Sequence, residues 1–326
     1  MEFQGRALYN LLRFNAIEDN SPSQYQSWQV EDYRLLSSEV LFQRLKKLKV
    51  VLDEVSFQKY AMNFDSPEAF CEYLTSDEID VEEYDRIYLL VFELWRRYRK
   101  DCRSLSIFCD ELDLLMKLYD GDQEDLDDQI QSHLIELENF LDEQVDHGAD
   151  SKKIFLEIAS YLAHDVETFL YDFIFDLIEK GTETTASELI DDFMPYVKRP
   201  IWFEFLRIKL FSIQDLEDFH SLSRRFCEKV LEAKDFDLLI ELLDLLVESG
   251  QADLFLWTFE ESLKQATSAA KVEELVEMVL EFFESIDDLK RVKLIEAWYA
   301  SEKVQIESKK LSSNDPILKK LKELIR

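Results

Sequence analysis

Glycine and proline are scarce, with five of each in 326 residues. Sheet proteins built on tight turns need many positive-φ positions, so this scarcity excludes a turn-rich β fold and predicts an all-α chain. Cysteine is scarce as well: Cys71, Cys102, Cys109 and Cys227 form no CxxC pair. On a continuous helix Cys102 and Cys109 would stand about 10 Å apart along the axis, beyond disulfide reach. Reduced, buried thiols of a cytoplasmic protein are therefore expected. Long apolar runs are missing too. The longest is IYLLVF (87–92), far below the roughly 20 residues of a membrane span. The opening MEFQGRALYN lacks the charged-then-apolar layout of a cleaved secretory signal, which leaves open export without such a signal. Positive charge is also short: 38 Lys and Arg against 70 Asp and Glu give a formal net charge of −32. Groove binding to nucleic acid needs a basic footprint, so direct nucleic-acid binding is not expected.

What is abundant is core material. Hydrophobic residues make up 47%, with 24 Phe and 13 Tyr, beside 33% charged residues. That mixture belongs to folded protein. The negative charge is uneven: residues 1–100 carry −5, 101–200 carry −19 and 201–326 carry −8. A large self-repulsion is tolerated when carboxylates spread over solvated faces.

Periodicity predicts four regions: an N-terminal extension and linker (1–30), a helical bundle (31–148), a helical-hairpin region (149–304) and a basic C-terminal helix (305–326). In the first, Leu8, Leu11, Leu12 and Ile17 suggest a short amphipathic piece ahead of the polar run EDNSPSQYQS. From Glu31 onward, Tyr33, Leu36, Val40, Leu41, Leu45 and Leu48 repeat at three and four residues. Ser66 and Pro67 read as cap and first helical position. YDRIYLLVFELWRRYRKD (84–101) is apolar around nearly its whole circumference, as a central bundle helix would be. Its basic end, RRYRK, suits the negative end of the helix dipole.

After Gly148 the predicted helices become regular, joined by connections of one to four residues that force antiparallel neighbours. LIEKG (177–181) and LVESG (246–250) close helices on glycine 69 residues apart, and LEFFESI (280–286) ends another about 35 later. Carboxylates recur with the same step: Asp172, Asp176 and Glu179; then Asp237, Glu241, Asp244 and Glu248; then Glu273, Glu277 and Glu284. On these features region 150–304 resembles the α-solenoid class, tetratricopeptide-like or HEAT-like in architecture. The tetratricopeptide consensus is not matched, since KRPIWFEF (198–205) has Pro and Trp at other spacings, so no ligand residues carry over. The resemblance implies an all-α fold of stacked antiparallel hairpins. The tail SSNDPILKKLKELIR (312–326) has Asn314 as expected cap and Ile317, Leu321 and Leu324 as its apolar stripe. From Lys303 onward it holds seven basic and three acidic residues. Docking as the last cap of the hairpins is its expected role.

Chemistry-bearing patterns are few. YDGDQEDLDDQ (119–129) has six carboxylates, but read as a calcium loop from Asp120 it puts Asp125 where glycine belongs, Asp127 at the apolar position and Gln131 at the closing glutamate. Asp122 as a helix cap, with Glu124 and Asp125 in the first turn, fits better. Glu217 and His220 form one E-x-x-H, half of a di-iron carboxylate set. No glycine-rich phosphate loop or G-x-S-x-G turn exists.

The expectation is a non-enzymatic interaction module or scaffold without cofactor. Its acidic hairpin surface, with Asp237, Glu241, Glu248, Glu273, Glu277 and Glu284 as partner-binding residues, would take a basic or amphipathic protein segment. Two other classes stay open. One is an acidic DNA mimic, resting on the 4 basic and 25 acidic residues of 110–192. The other is a metal-dependent helical enzyme around Glu217 and His220.

Overall fold

The computed structural model describes residues 3–18, 25–76, 78–121, 123, 125–213, 219–308, 311–312 and 315–326. The fold is all-α, with helical hairpins packed together and no strand among the described residues. The chain divides into two compact units, 1–170 with 195–198, and 171–194 with 199–326.

The first unit contains α1 (Ala7–Glu18), α2 (Ser27–Val30), α3 (Ser38–Lys47), α4 (Glu54–Ala61), α5 (Pro67–Leu74), α6 (Val81–Tyr98), α7 (Leu105–Asp120), α8 (Asp127–Asp146), α9 (Ser151–Ala159) and the start of α10 (Val166–Glu179). Helix α6 is its centre. All nine residues from Ile87 to Trp95 are buried, and each large apolar side chain taken fully from water contributes about 1.5–3 kcal/mol. One of the nine is Glu93, and Arg96 and Arg97 both reach its carboxylate, at 2.6 and 2.7 Å. Arg97 also donates to the carbonyl oxygens of Tyr33, Arg34 and Leu36. The RRYRK end thus closes the unit internally.

Several sequence expectations are met at helix ends. Ser66 accepts from the Ala69 N–H with Pro67 at the first helical position, and Gly148 follows α8 with φ +96°. Others are corrected. The periodic run from Glu31 is not helical at its start: Asp32 accepts from the Arg34 N–H and from Arg13, giving a 3-10 turn at Tyr33–Leu35. The helix begins only after Ser37. In α1 the expected apolar face is misplaced, since Leu8 and Ile17 are exposed while Arg6, Ala7, Tyr9, Asn10 and Phe14 are buried. Polar residues turn inward there because α7 presents two buried carboxylates, Asp110 and Asp113. The Asn10 amide donates to both, at 3.0 and 2.9 Å. Arg34 pairs with Asp110 at 2.5 Å, and Asp113 accepts from the N–H groups of Ala163 and His164 and lies 2.7 Å from His164 Nδ1. Burial alone would push the Asp110 carboxyl up, but Arg6, Arg34 and Asn10 outweigh it and hold it below the usual range.

The acidic turn is also corrected. Helix α8 starts at Asp127 with Leu126 at the cap, and Asp125 has φ +63° outside the helix instead of entering its first turn. Asp122 and Glu124 lie outside the described residues, as does most of the expected linker (residues 19–24).

The second unit holds the rest of α10, then α11 (Glu183–Phe193), α12 (Pro200–Ile213), α13 (Phe219–Ala233), α14 (Phe236–Glu248), α15 (Ala252–Ser262), α16 (Ala269–Ser285), α17 (Leu289–Ser308) and α18 (Pro316–Ile325). From α11 to α15, and again from α16 to α18, successive helices pack on one another, while α12 packs on α14, α14 on α16 and α13 on α15. The result is two layers. α14 shows why the sequence folds this way: Leu238, Leu239, Leu242, Leu243, Leu245 and Leu246 are buried, and Asp237, Glu241 and Glu248 fall on the opposite, solvated side. Gly181 and Gly250 close α10 and α14 in the left-handed region, φ +77° and +68°, and Asp287 takes the same conformation after α16, φ +60°. The tail helix α18 buries Ile317, Leu318, Leu321 and Ile325 and packs on α17. Its cap is Asp315, whose side chain accepts from the Ile317 N–H; Asn314 lies outside the described residues.

Candidate functional site

The side chain that organises the acidic surface is Lys209. It lies on α12 within the apolar run FEFLRIKLF and is the only buried lysine among the described residues, 7% exposed. Its ammonium lies over the Phe175 ring and reaches Glu179 at 2.9 Å and Glu248 at 3.4 Å. Burial would lower its pKa, yet the bond to Glu179 and the charge of Glu248 more than offset that and raise it.

These contacts align the helices. Glu179 ends α10, Glu248 ends α14, and Lys209 sits near the end of α12, so these contacts bring the C-terminal ends of all three helices together. Helix α16 joins them: Glu281 feels the charges of Asp244, Glu248 and Glu284. At this edge Glu179, Glu248 and Glu284 each occupy the last turn of a helix, where the dipole is already negative. An exposed carboxylate there is disfavoured by about 0.3–1 kcal/mol.

Crowding leaves a measurable signature. The Glu241 carboxyl is pushed up by partial burial and by Asp244, and the Asp244 carboxyl by burial and by Glu248, with Lys209 opposing in both cases. Glu281 is pushed up by desolvation and its acidic neighbours. Beneath Glu241 the Tyr171 hydroxyl is buried without a hydrogen-bond partner among the described residues, and burial, Glu241 and Asp172 raise its pKa. The edge thus gathers six carboxylates, Glu179, Glu241, Asp244, Glu248, Glu281 and Glu284, with Lys209 paired to two of them.

Of the residues expected from sequence, Glu241, Glu248 and Glu284 come together here. Of the other three, Asp237 and Glu273 lie toward the opposite ends of the same helices and Glu277 midway along α16. Asp237 is in the first turn of α14, eleven residues and about 16 Å of helix from Glu248. Glu273 is near the start of α16 and pairs with Lys303 of α17 at 3.5 Å. Glu277, exposed, lies between the two ends of α16. Sequence reasoning missed Lys209 and Glu281. The available signal for Lys209 was its place between Ile208 and Leu210 in a largely apolar helix; nothing in Glu281 distinguishes it from its neighbours.

His220 pairs with Asp253 of α15, 3.0 Å from Nε2 to Oδ2, on an exposed surface. Glu217 is outside the described residues. Among the described residues no group of three or more His, Cys, Asp or Glu is arranged to hold a metal ion. The four cysteines are free, with Cys71, Cys109 and Cys227 buried. Among the described residues no helix is long and apolar enough to cross a membrane. No protein-family model, curated protein or solved structure matches the chain.

Proposed function

We propose that the chain is a non-enzymatic interaction module of the cytoplasm, solenoid-like in its second unit, whose acidic helix-end surface receives a basic or amphipathic segment of a protein partner. One observation carries this reading: carboxylates gather at the C-terminal ends of α10, α14 and α16, against the dipole and against each other, with Lys209 pairing two of them. Pairing with the buried Lys209 accounts for Glu179 and Glu248, but local stability gives no reason for Glu281 and Glu284, which would cost less elsewhere on α16. A cationic segment would relieve the repulsion on binding. Charge of this kind speeds encounter and selects partners more than it adds affinity.

Glu241, Asp244, Glu248 and Glu284 are the central contacts, and Asp237, Glu273 and Glu277 extend the surface along the two helices. The test is fluorescence anisotropy with a labelled peptide alternating Lys and Leu. Binding should weaken as salt rises and fall about tenfold or more in the variant Glu241→Gln, Asp244→Asn, Glu248→Gln, Glu284→Gln. The variant Asp237→Asn, Glu273→Gln, Glu277→Gln should lose much less. Equal losses in the two variants would mean that bulk charge alone attracts the peptide, and the reading would fail.

A further inference from the structure

The basic tail does more than cap the hairpins. A groove of about 830 Å³ opens between the end of α13, the 3-10 turn Leu263–Gln265 after α15, the start of α16 and α18. Leu231, Leu263 and Leu318 supply apolar wall, and Lys234, Lys264, Lys271, Lys319 and Lys322 supply positive charge. Five lysines at one groove are unexpected where acidic residues outnumber basic ones 70 to 38.

The two carboxylates that line the groove, Glu260 and Glu261, are already committed. Glu260 takes Arg326 and Lys322, each at 2.8 Å, and these hold its carboxyl down to about 2. Glu261 takes Lys264. Among the described residues Lys234, Lys271 and Lys319 have no carboxylate partner; Lys271 lies over the Phe236 ring. Two of the three sit where helix stability does not favour them. Lys271 is in the first turn of α16, at the positive end of the dipole. Lys234 follows α13 with φ +58°, a backbone conformation that glycine adopts at less cost.

We propose that this groove binds an acidic amphipathic peptide segment of a protein partner, its carboxylates on Lys234, Lys271 and Lys319 and its apolar side chains on the leucines. The leucine wall calls for apolar contact that inorganic phosphate cannot make. No aromatic ring lines the groove, so it has no platform on which nucleobases stack. Its volume is that of a ligand cleft. The groove is separate from the acidic surface: Lys271 and Glu284 lie thirteen residues apart on α16, about 20 Å along its axis. The proposal therefore stands independently of the reading above.

The test uses the full chain and a labelled peptide alternating Leu with Asp and Glu, followed by anisotropy at low and moderate salt. Saturable binding is expected, weakened about tenfold or more by Lys234→Gln, Lys271→Gln, Lys319→Gln, with far-UV helicity unchanged. The single change Lys319→Glu, on the exposed side of α18, should weaken it in the same direction. A peptide with every Leu replaced by Ser should bind poorly. Undiminished binding by the triple variant, equal binding of the Leu-free peptide, or binding to phosphatidylserine vesicles with none to the peptide would each overturn the proposal.

Discussion

Among the described residues of the first unit six charged side chains are buried: Arg6, Glu93, Arg99, Asp110, Asp113 and Glu167. In the second unit there are two, Lys209 and Asp315. The first unit uses charge inside, where Asp110 joins helices a hundred residues apart in sequence and Glu93 gathers two arginines. The second packs leucine and phenylalanine inside its hairpins and keeps carboxylates at the edge. A buried ion pair is weak evidence for net stability but strong evidence for a fixed arrangement, since breaking it leaves an uncompensated charge. An exposed carboxylate cluster fixes little, so its charge is free to act on something else. The contrast separates charge that holds the fold together from charge left exposed at its edge.

Four substitutions probe that contrast. The largest effect is expected from Asp110→Ala, which leaves the buried Arg6 and the half-buried Arg34 without their carboxylate. A loss of about 3–5 kcal/mol should appear in denaturant unfolding, and hydrogen exchange should accelerate in α1 and α7; a loss below about 1 kcal/mol would make the network dispensable. Phe259→Ala should cost a similar amount, about 3–5 kcal/mol, in the second unit, because its side chain is fully buried in an apolar cluster. Exchange in α13 to α16 would report it.

Lys209→Met should cost much less, about 1 kcal/mol or under. Its partners Glu179 and Glu248 have side chains 54% and 57% exposed, so water replaces the lost ammonium. A loss as large as that of Asp110→Ala would erase the distinction between the units. The smallest effect belongs to Glu281→Gln, a gain of about a few tenths of a kcal/mol at neutral pH. Its sign follows from linkage. Glu241, Asp244 and Glu281 have folded pKa values raised above the unfolded ones, so relative stability is highest below the unfolded values and is lost as pH rises through the folded values. The gain from the substitution should fade as pH falls through the range just above ordinary carboxylate values, and thermal unfolding at stepped pH would show it. A gain independent of pH would assign the effect to helix propensity.

Much of the fold was legible because it is local. The three-and-four spacing of leucines in α14, Ser66 with Pro67, and the closing glycines Gly148, Gly181 and Gly250 each announce themselves within a few residues. The face that α1 buries was not legible. Arg6 and Asn10 lie off the expected stripe of Leu8, Leu11, Leu12 and Ile17, and only Asp110 and Asp113, a hundred residues on, bring them inside. The start of α3 was misread for a related reason, since Asp32 captures the Arg34 N–H and Arg13 and stops the periodic run from being helical there. Within the acidic surface the stripes were legible one helix at a time. Their meeting at the C-terminal ends was not, because Lys209, which joins Glu179 to Glu248, looks in sequence like one of three ordinary charges, with Glu204 and Arg207, on a largely apolar helix.

The most direct measurement is a carboxyl-carbon NMR titration of Glu241, Asp244 and Glu281, with and without the Lys–Leu peptide. If the acidic edge is a recognition surface, all three pKa values start above the ordinary carboxylate range and move down in the complex, as the peptide's cations relieve the crowding. Raised values that do not move while the peptide is bound would place it elsewhere on the chain and contradict the proposed function.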